Sequence, residues 1–567
     1  MTPLDWGVLF ATLAVFVAYG VWRGRGTRDL DGYLLADRRL RPHAVLLSVM
    51  ATQASAITFL STPGQGFADG LRFVQFYFGL PLAMVVLCLT AVPAYHRMKV
   101  FTAYEYLEHR FDPRTRTLAA ALFLVQRGLA AGLTIYAPAL VLSVLLGWDV
   151  RWTCALLGAL AAIYTASGGS KALGHAHTLQ FLVILGTMGL AFALILRALP
   201  HGVGPGDAVG LAGALGRLNP VQTRFDVNDR YNLWSGLIGG FFLQLSYFGT
   251  DQSQVGRYLG GQSVRASRLG LLLNGLLKVP MQFGILFLGV MLAVFYLFAP
   301  RPLFFDPLTS QRVAGGRHAA EWRALETRHR EVETRAATAA RTLVEARRAR
   351  DGAAVAAASR ALAEARGEDG ALRGEAARVI RATDPQAQTS DTNYVFLWFV
   401  LHVLPAGVVG LVLAAIFAAS MNSTSSELNA LASTSMVDVV RRLRPGGSGR
   451  HDVNVSRLLT LGWTVFAVAF AGYASRLGSL IEAVNILGSL FYGTILGIFL
   501  TAFYLKRVGG RAVFAAALVA EACVLACFHY TRISFLWYNL VGCAAVMLVG
   551  LALSALWPRE EPGTGAA

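Results

Sequence analysis

Residues 48–70 read SVMATQASAITFLSTPGQGFADG, an apolar helix that polar side chains interrupt halfway along. The interrupting side chains are those of Thr52, Gln53, Ser55 and Thr58. Pro63 and Gly64 follow, and this pair is expected to break the helix. A lipid bilayer cannot satisfy an open backbone group, so such a helix must line a cavity or pack on protein. Broken helices of membrane carriers present backbone carbonyls to a cation and polar groups to a solute.

The composition is that of a polytopic membrane protein. The 567 residues are 55% hydrophobic, and the mean hydropathy is +0.52. About 13 apolar runs, each of roughly 20 residues, are long enough to cross a bilayer. They begin near Trp6, Val45, Phe73, Leu118, Trp152, His177, Trp234, Leu269, Val395, Arg457, Leu480, Ala512 and Phe535. We therefore expect one all-α polytopic domain rather than several soluble ones.

The net charge of +17 reflects basic loops that alternate along the chain with loops poor in Lys and Arg. The basic loops are 23–41, 97–116, 257–268, 441–450 and 506–511. By the positive-inside rule these loops face the cytoplasm, which places the N-terminus outside and the C-terminus inside. We therefore expect a multi-pass protein of the cytoplasmic membrane that binds no nucleic acid. The five cysteines lie in apolar runs, without metal-ligand or redox spacing.

A polar insert at 301–393 divides the apolar runs. Apolar residues recur in it at spacings of three and four from Trp322 to Ala346 and again from Val355 to Val379, with the polar Asp369 interrupting the second stripe. Asp351–Gly352 separates the stripes, so we expect an antiparallel helical hairpin. The loop alternation places it outside the cytoplasm, as a spacer, a stabilising lid or a surface for a partner that the sequence leaves unknown.

The domain organisation that follows has four parts. Residues 1–300 form the first part of the transmembrane domain, 301–393 the hairpin insert, 394–557 the remaining helices and 558–567 a cytoplasmic tail.

The clearest charged residues within apolar runs, where an ionisable group is costly and is a functional candidate by default, are Lys278, Asp251 and Glu482. Lys278 would contact a solute or form a structural ion pair. Asp251 would serve function or pair with Arg257 nearby. Glu482 is followed one helical turn later by Asn485, and this pair would contribute to a polar site.

A Ser-rich segment from Phe417 to Ser435 follows another apolar span directly. Its hydroxyl and amide oxygens suit a weakly bound monovalent cation, because hard cations prefer oxygen ligands. Close packing of small residues between membrane helices explains the same composition equally well.

These motifs together resemble the sodium:solute symporter family over the whole chain apart from the insert. The segments that carry the resemblance are SAITFLSTPGQGFADG, TAYEYLEHRFDPRTR, IYTASGGSKAL, GTDQSQVGRYL, LLKVPMQF, AASMNSTSSELNALASTSMVD and FYLKRVGGRAVF. The resemblance implies the leucine-transporter architecture, in which two repeats of five helices are inverted with respect to each other. The first repeat would begin near Val45 and the second near Trp234.

The resemblance also implies a sodium site between the first helix of repeat one and the third helix of repeat two. Its ligands would be backbone oxygens of Ala51, Ala54 and Ala419 and the side chains of Asn422 and Ser423. The family usually has Ser or Thr at both side-chain positions, and Asn422 still offers a neutral carbonyl oxygen.

A second sodium site of some family members uses an aspartate where this chain has His177. Ser425 and Ser426 are retained, but a neutral imidazole supplies no anionic oxygen and a protonated one repels sodium. The sequence therefore predicts one sodium per solute, with His177 as a candidate second cation or proton site.

The solute site implied by the resemblance centres on Lys278, because sugar-transporting members use a lysine in the same motif. The other candidate solute-binding residues are Gln53, Thr58, Asp251, Gln252, Glu482 and Asn485. The motif GTDQSQVGRYL is at least as similar to the branch that carries monocarboxylates, vitamins and iodide, so the solute class stays open.

We conclude from the sequence that the protein is a sodium-coupled secondary active transporter. It would import a small organic solute, a sugar, monocarboxylate or similar, by alternating access, with Na⁺ as coupling ion and no cofactor. The alternatives are a proton-coupled carrier, with His177 or Asp251 titrating, and a non-transporting sensor of the same fold. An enzyme is not expected, because the sequence has no metal-ligand cluster, nucleophile elbow or phosphate loop.

Overall fold

The computed structural model describes residues 1–24, 35, 38–444, 449–474 and 479–557. Part of the first basic loop and the predicted tail 558–567 lie outside these residues. Within them the protein is all-α, as predicted, and the only β-type pairing is an isolated bridge between Leu40 and Gly261.

The first half of the chain contains helices α1 Pro3–Gly24, α2 Pro42–Gln53, α3 Ala56–Asp69, α4 Leu80–Leu89, α5 Ala91–Met98, α6 Glu105–Arg110, α7 Pro113–Leu146, α8 Val150–Arg197, α9 Pro205–Ala214, α10 Gly240–Gly249, α11 Gln252–Leu259 and α12 Val264–Phe295. The second half contains α13 Pro307–Ala314, α14 Ala319–Ala349, α15 Gly352–Thr383, α16 Val395–Val403, α17 Val408–Thr434, α18 Arg441–Leu443, α19 Gly449–Ala474, α20 Leu480–Tyr504, α21 Gly510–Tyr530 and α22 Leu536–Leu556. A 3₁₀ segment Gly70–Tyr77 precedes α4, and π-helical turns Ser235–Gly239 and Ser435–Val440 precede α10 and follow α17.

Nine helical stretches of the described residues are long and apolar enough to cross a membrane, and Pro3–Tyr19 and Val150–Ala166 are shorter apolar helices. Two predicted spans, near Trp152 and His177, fall in the single 48-residue helix α8. The span predicted to begin near Val395 instead begins at Val408. Gly407 adopts a left-handed conformation (φ 84°) and separates it from the short helix α16.

The break in the first repeat lies at Ala54–Ser55, which corrects the prediction that Pro63–Gly64 breaks this helix. Ser55 is extended (φ −78°, ψ 170°) and precedes α3, which continues through Pro63. Gly64 serves close packing instead, because a Cβ at this position would lie 1.8 Å from the carbonyl oxygen of Thr392. Of the polar residues before the proline, Ser55 therefore lies in the non-helical turn, and Thr52, Gln53 and Thr58 lie in the helical ends on either side of it.

A second break lies at the corresponding place in the other repeat. Helix α10 ends at Gly249, and Asp251 begins α11 by accepting hydrogen bonds from the backbone amide of Ser253 (2.9 Å) and from its hydroxyl (2.7 Å). The first helix of each predicted repeat is thus discontinuous, as the inverted-repeat architecture requires.

The insert forms the predicted helical hairpin, and α14 and α15 pack along their two apolar stripes. Arg350 is left-handed (φ 57°) at the turn, and Asp351 caps α15 through the amide of Ala354 (3.0 Å). At the tip, Arg348 contacts Asp207 of α9 at 2.5 Å. We refer to the side of the bundle that carries α9 and the hairpin as the hairpin face.

A buried ionic cluster fixes the middle of the hairpin to the segment after α12. Arg301 contacts Asp369 of α15 at 2.6 Å and Glu333 of α14 at 3.2 Å, and His329 lies 3.0 Å from Asp369. Burial alone would raise the pKa of Asp369, but His329 and the guanidinium groups of Arg301 and Arg366 hold it well below its usual range. The polar residue that interrupts the second apolar stripe is therefore an anchoring point.

Candidate functional site

A central cavity opens beside the break between α2 and α3. It lies among α7, α10, α12, α17 and α20 as well, so both repeats contribute to it. The cavity is lined by Thr52, Gln53, Ser55, Ile57, Thr58, Phe76, Tyr77, Gln126, Arg127, Thr134, Leu243, Gln244, Tyr247, Lys278, Ser423, Glu427, Ile481, Val484, Asn485 and Tyr492.

The C-terminal end of α2 contacts α17 through buried oxygen atoms. The hydroxyl of Ser423 donates to the carbonyl oxygen of Thr52 at 2.9 Å, and the hydroxyls of Thr52 and Ser426 lie 3.2 Å apart. The last carbonyl groups of a helix have no intrahelical partner, and the break leaves that of Thr52 free to accept from α17. These contacts join Ser423, one of the predicted sodium ligands, to the end of α2 that carries Ala51.

We call this group of buried oxygen atoms between the end of α2 and α17 the sodium cradle. Asn422 of α17 is its second feature. Asn422 is fully buried, and neither its side-chain amide oxygen nor its side-chain amide nitrogen has a hydrogen-bond partner among the described residues. A buried amide without a partner is costly, and a cation would satisfy its oxygen. Ala51, Ala54 and Ala419 are also fully buried. A neutral set of backbone, amide and hydroxyl oxygens fits a monovalent hard cation.

The residues of the candidate second cation or proton site have contacts of a different kind from those of the sodium cradle. Ser425 and Ser426 donate to the backbone oxygen of Asn422, at 3.1 and 2.7 Å. His177 is fully buried, neither ring nitrogen has a partner in the described part of the chain, and Arg257 lies within electrostatic range. A guanidinium in this position disfavours a second positive charge.

A buried ionic network beside the cavity joins α7, α17 and α20 to the α10–α11 break. Arg127 of α7 contacts Glu427 of α17 at 3.0 Å and pairs with Asp251 at the α10–α11 break. The hydroxyl of Tyr492 on α20 donates to Asp251 at 2.9 Å and accepts from Arg127 at 2.6 Å. Asp251 is therefore held by Arg127 and not by Arg257, the partner considered from sequence, and it does not line the cavity itself.

Lys278 lies at the opposite wall of the cavity. Its side chain is almost fully buried on α12, and its ammonium group lies 5.5 Å from the centre of the Tyr77 ring. Within the described ranges, no Asp or Glu carboxylate lies within salt-bridge distance of Lys278. A cation–π contact alone leaves the charge largely uncompensated.

The remaining cavity residues are held by local hydrogen bonds. The side chain of Gln53 donates to Asn274, which lies one turn before Lys278 on α12. Thr58 bonds the backbone oxygen of Gln53 at 3.4 Å, and Asn485 donates to the backbone oxygen of Ile481 at 2.6 Å. Three of the predicted solute-binding residues therefore share the cavity with Lys278.

Besides Asp251, two further predicted solute-binding residues do not line the cavity. Gln252 accepts from the amide of Ala103 at 3.1 Å and donates to the oxygen of Phe101 at 2.8 Å, so it ties α11 to a loop away from the cavity. Glu482 contacts Arg230 at 2.6 Å and the hydroxyl of Tyr231 at 2.9 Å at the hairpin face. Their side chains are committed to these structural contacts.

Comparison with known proteins accords with this geometry. The sequence profile of the sodium:solute symporter family matches residues 33–296 and 375–520, more than half of the chain. This protein belongs to the sodium:solute symporter family. The matched regions leave out 297–374, which contain most of the hairpin.

Individual relatives of this symporter are named for different solutes. It is 32% identical to the human sodium/iodide cotransporter over 48% of this chain and 42% of the relative. It is 26% identical to the sodium-dependent multivitamin transporter of Oryctolagus cuniculus over 87% of this chain and 65% of the relative. The chain thus spans less than two thirds of the length of these two relatives.

A bacterial relative matches over nearly its full length. The sodium/sialic acid symporter SiaT of Proteus mirabilis is 23% identical over 98% of this chain and 95% of its own. A solved substrate-bound, outward-open structure of a Na⁺-coupled sialic acid symporter superimposes with a TM-score of 0.75 at 22% identity, covering 99% of both chains. This similarity establishes the fold of the symporter.

Sequence reasoning missed Arg127 and Glu427, which carry the buried network. Both satisfy the criterion that selected Asp251, Lys278 and Glu482, a charged residue within an apolar run. Arg127 stands in LFLVQRGLAAGL, and Glu427 follows the serines of the Ser-rich segment. Applying the criterion to every run would have found both.

Proposed function

We propose that this symporter couples the downhill entry of sodium to the import of a small organic solute, a sugar, monocarboxylate or similar, by alternating access. The observation that carries the proposal is the buried oxygen cradle between the broken end of α2 and α17, directly beside a cavity that contains Lys278. The proposed sodium ligands are the backbone oxygens of Ala51, Ala54 and Ala419 and the side chains of Asn422 and Ser423.

Coupling follows from where the cradle lies. A cation bound there would hold α2 against α17, and these helices belong to different repeats. Such an ion favours the conformation in which the two helices stay together, and it shifts the equilibrium only by its difference in affinity between the states. Sodium bound from outside would thereby stabilise the outward-open state and organise the solute cavity.

The orientation of the symporter is part of the proposal. We place the hairpin face outside the cell and the basic loops in the cytoplasm, with the N-terminus outside. The solute then enters from the hairpin face, and the network of Arg127, Asp251, Glu427 and Tyr492 closes the inner side of the cavity.

The buried charges favour a solute with a carboxylate over a neutral sugar. Two acidic and two basic side chains belong to the cavity and its network: Asp251, Glu427, Arg127 and Lys278. The first three are engaged with one another, whereas Lys278 has no acidic partner among the described residues. With one sodium bound the site carries an excess positive charge, which a monoanionic solute would neutralise.

We further propose one sodium per solute. The candidate second site has His177 in the place of a carboxylate, and its serine hydroxyls are engaged with the backbone of α17. A rival is proton coupling through His177, whose buried ring nitrogens are unpaired among the described residues. The two are separated by measuring the charge moved per solute in proteoliposomes as pH varies at fixed sodium.

The proposed function is tested first by thermal unfolding of the purified protein with monocarboxylates, neutral sugars and amino acids, each with sodium and with choline. We expect a carboxylate to raise the unfolding temperature only when sodium is present, and Lys278→Met to abolish that increase. Stabilisation of equal size in choline would contradict sodium coupling, and stabilisation that survives Lys278→Met would contradict the solute site.

A further inference from the structure

A second cavity lies at the hairpin face, away from the central site. It has a volume of about 380 Å³ and lies between the turn that joins α7 to α8 and the base of the hairpin. This volume is in the range of about 300–1,000 Å³ that is usual for small-molecule sites. None of the residues predicted from sequence to bind sodium or solute lines it.

Two polar groups at this cavity have no internal partner. Tyr136 is 5% exposed and lines the cavity, and its hydroxyl makes no hydrogen bond to any described residue. The side-chain nitrogen of Gln388 is buried and likewise lacks a partner within the described ranges. A buried donor without an acceptor, such as the nitrogen of Gln388, is unusual in native proteins. A ligand that brings acceptor oxygens would satisfy it and would also accept from the hydroxyl of Tyr136 in the cavity wall.

Four of the five charged groups at the same cavity are already in ion pairs. Arg151 contacts Asp149 at 3.1 Å, and Arg312 contacts Asp384 at 3.3 Å. Asp306 accepts from the amide of Leu308 and from the hydroxyl of Thr309, and burial raises its pKa. The two ion pairs need no counter-ion, and the carboxyl of Asp306 disfavours an anion, so a neutral ligand with both donors and acceptors fits the cavity better.

An aromatic surface completes the cavity. Trp148 is 51% exposed and lines the cavity together with Tyr394. Trp152, which is 72% exposed one turn further on, fits the aromatic belt of a membrane interface, but Trp148 faces the polar cavity as well. An exposed ring beside hydrogen-bonding groups suits the C–H face of a sugar.

We propose that this cavity binds a free neutral saccharide. The hydroxyls of the saccharide would accept from Tyr136 and Gln388 and donate to Asp306, while its ring packs on Trp148. The site joins the α7–α8 turn to the base of the hairpin, so an occupant would hold these two parts together. The proposal does not depend on the solute of the central cavity, and binding here should not require sodium.

The test uses the full-length protein in phosphatidylcholine nanodiscs, free of detergents with sugar headgroups. Glucose, galactose, maltose and trehalose are titrated in choline buffer while tryptophan fluorescence is recorded. We expect at least one of them to bind saturably. Tyr136→Phe combined with Gln388→Leu should weaken that binding at least tenfold, and so should Trp148→Ala, whose exposed position spares the fold.

Lys278→Met should leave this saccharide binding unchanged, as should Tyr504→Phe, a control on an exposed tyrosine. Binding that Lys278→Met removes and the Tyr136/Gln388 double variant retains would assign the saccharide to the central cavity and overturn the proposal. Absence of binding by all four sugars would overturn it too. Binding observed only when a glycolipid is added to the nanodiscs would show that the ligand is a lipid headgroup and refute the free saccharide.

Discussion

Ser423 is the residue at which the sodium cradle can be tested most simply. Its hydroxyl donates to the oxygen of Thr52 and leaves its lone pairs available to a cation. Ser423→Ala should raise the sodium concentration for half-maximal transport about tenfold, because contacts to a charged group contribute about 1.5–3 kcal/mol. The measurement is the sodium dependence of initial uptake rates.

A matched control lies on the same helix. Ser433 is also buried, but its hydroxyl donates to the oxygen of Ala430 within α17. Ser433→Ala should leave the sodium dependence unchanged. If the two alanine variants need the same sodium concentration as the unmodified protein, the cradle is not the coupling site.

Lys278 is predicted to bind the solute rather than to stabilise the folded protein. Lys278→Met keeps the apolar volume of the side chain and removes its charge, so the affinity for the solute should fall more than tenfold while the folded yield stays near normal. Equilibrium binding and size-exclusion yield provide the two readouts. Gln282→Met, one turn further along α12 and away from the cavity, is the control, and a collapse of yield for Lys278→Met alone would indicate a structural charge.

At the residue scale, sequence patterns located polar positions but not their partners. Asp251 stands out in the sequence as a charge within an apolar run, but its partner Arg127 is 124 positions away along the chain. Gln252, its neighbour, points to a loop because α11 begins between them and turns the two side chains apart. Such long-range pairing depends on how helices pack, which no local pattern contains.

At the scale of single elements, the break in the first repeat shows why the rule that a proline ends a helix misplaced the break. A proline inside a helix lacks one hydrogen bond, and this cost was expected to end the helix at Pro63. Tertiary packing outweighs it here, since Gly64 and Gly289 let backbones of neighbouring segments approach closely. The hairpin, by contrast, can be predicted from the spacing of its own apolar residues and from the turn between its helices.

Gly64 should therefore tolerate no side chain. Gly64→Ala places a Cβ 1.8 Å from the oxygen of Thr392, a backbone atom that cannot move independently. We expect a clear fall in the Tm of the purified protein, since overpacking typically costs about 1–3 kcal/mol. Gly284→Ala on α12, where nothing lies within 4 Å, should keep or slightly raise the Tm. An equal Tm for both variants would contradict this packing.

At the scale of the whole molecule, the hairpin packs on the membrane-spanning helices without contributing residues to the central cavity. Its central anchor is the buried cluster around Arg301, and its tip is held by the ion pair of Arg348 and Asp207, which solvent screens because the guanidinium is exposed. Neither contact involves residues that line the central cavity.

Replacing residues 316–381 with a short Gly/Ser linker should thus leave the uptake rate within a few-fold of normal. The measurement is uptake by equal amounts of membrane-inserted protein, with Arg348→Ala as a control that frees only the tip. Complete loss of transport by well-inserted protein would show that the hairpin is part of the gate.

The central claim is that sodium bound between α2 and α17 drives solute uptake. The most direct measurement is solute accumulation in proteoliposomes under an inward sodium gradient, compared with an equal choline gradient at the same fixed pH. The account predicts accumulation only with sodium, together with a Hill coefficient for sodium near one, as expected of a single site. Equal uptake in the two gradients would contradict it.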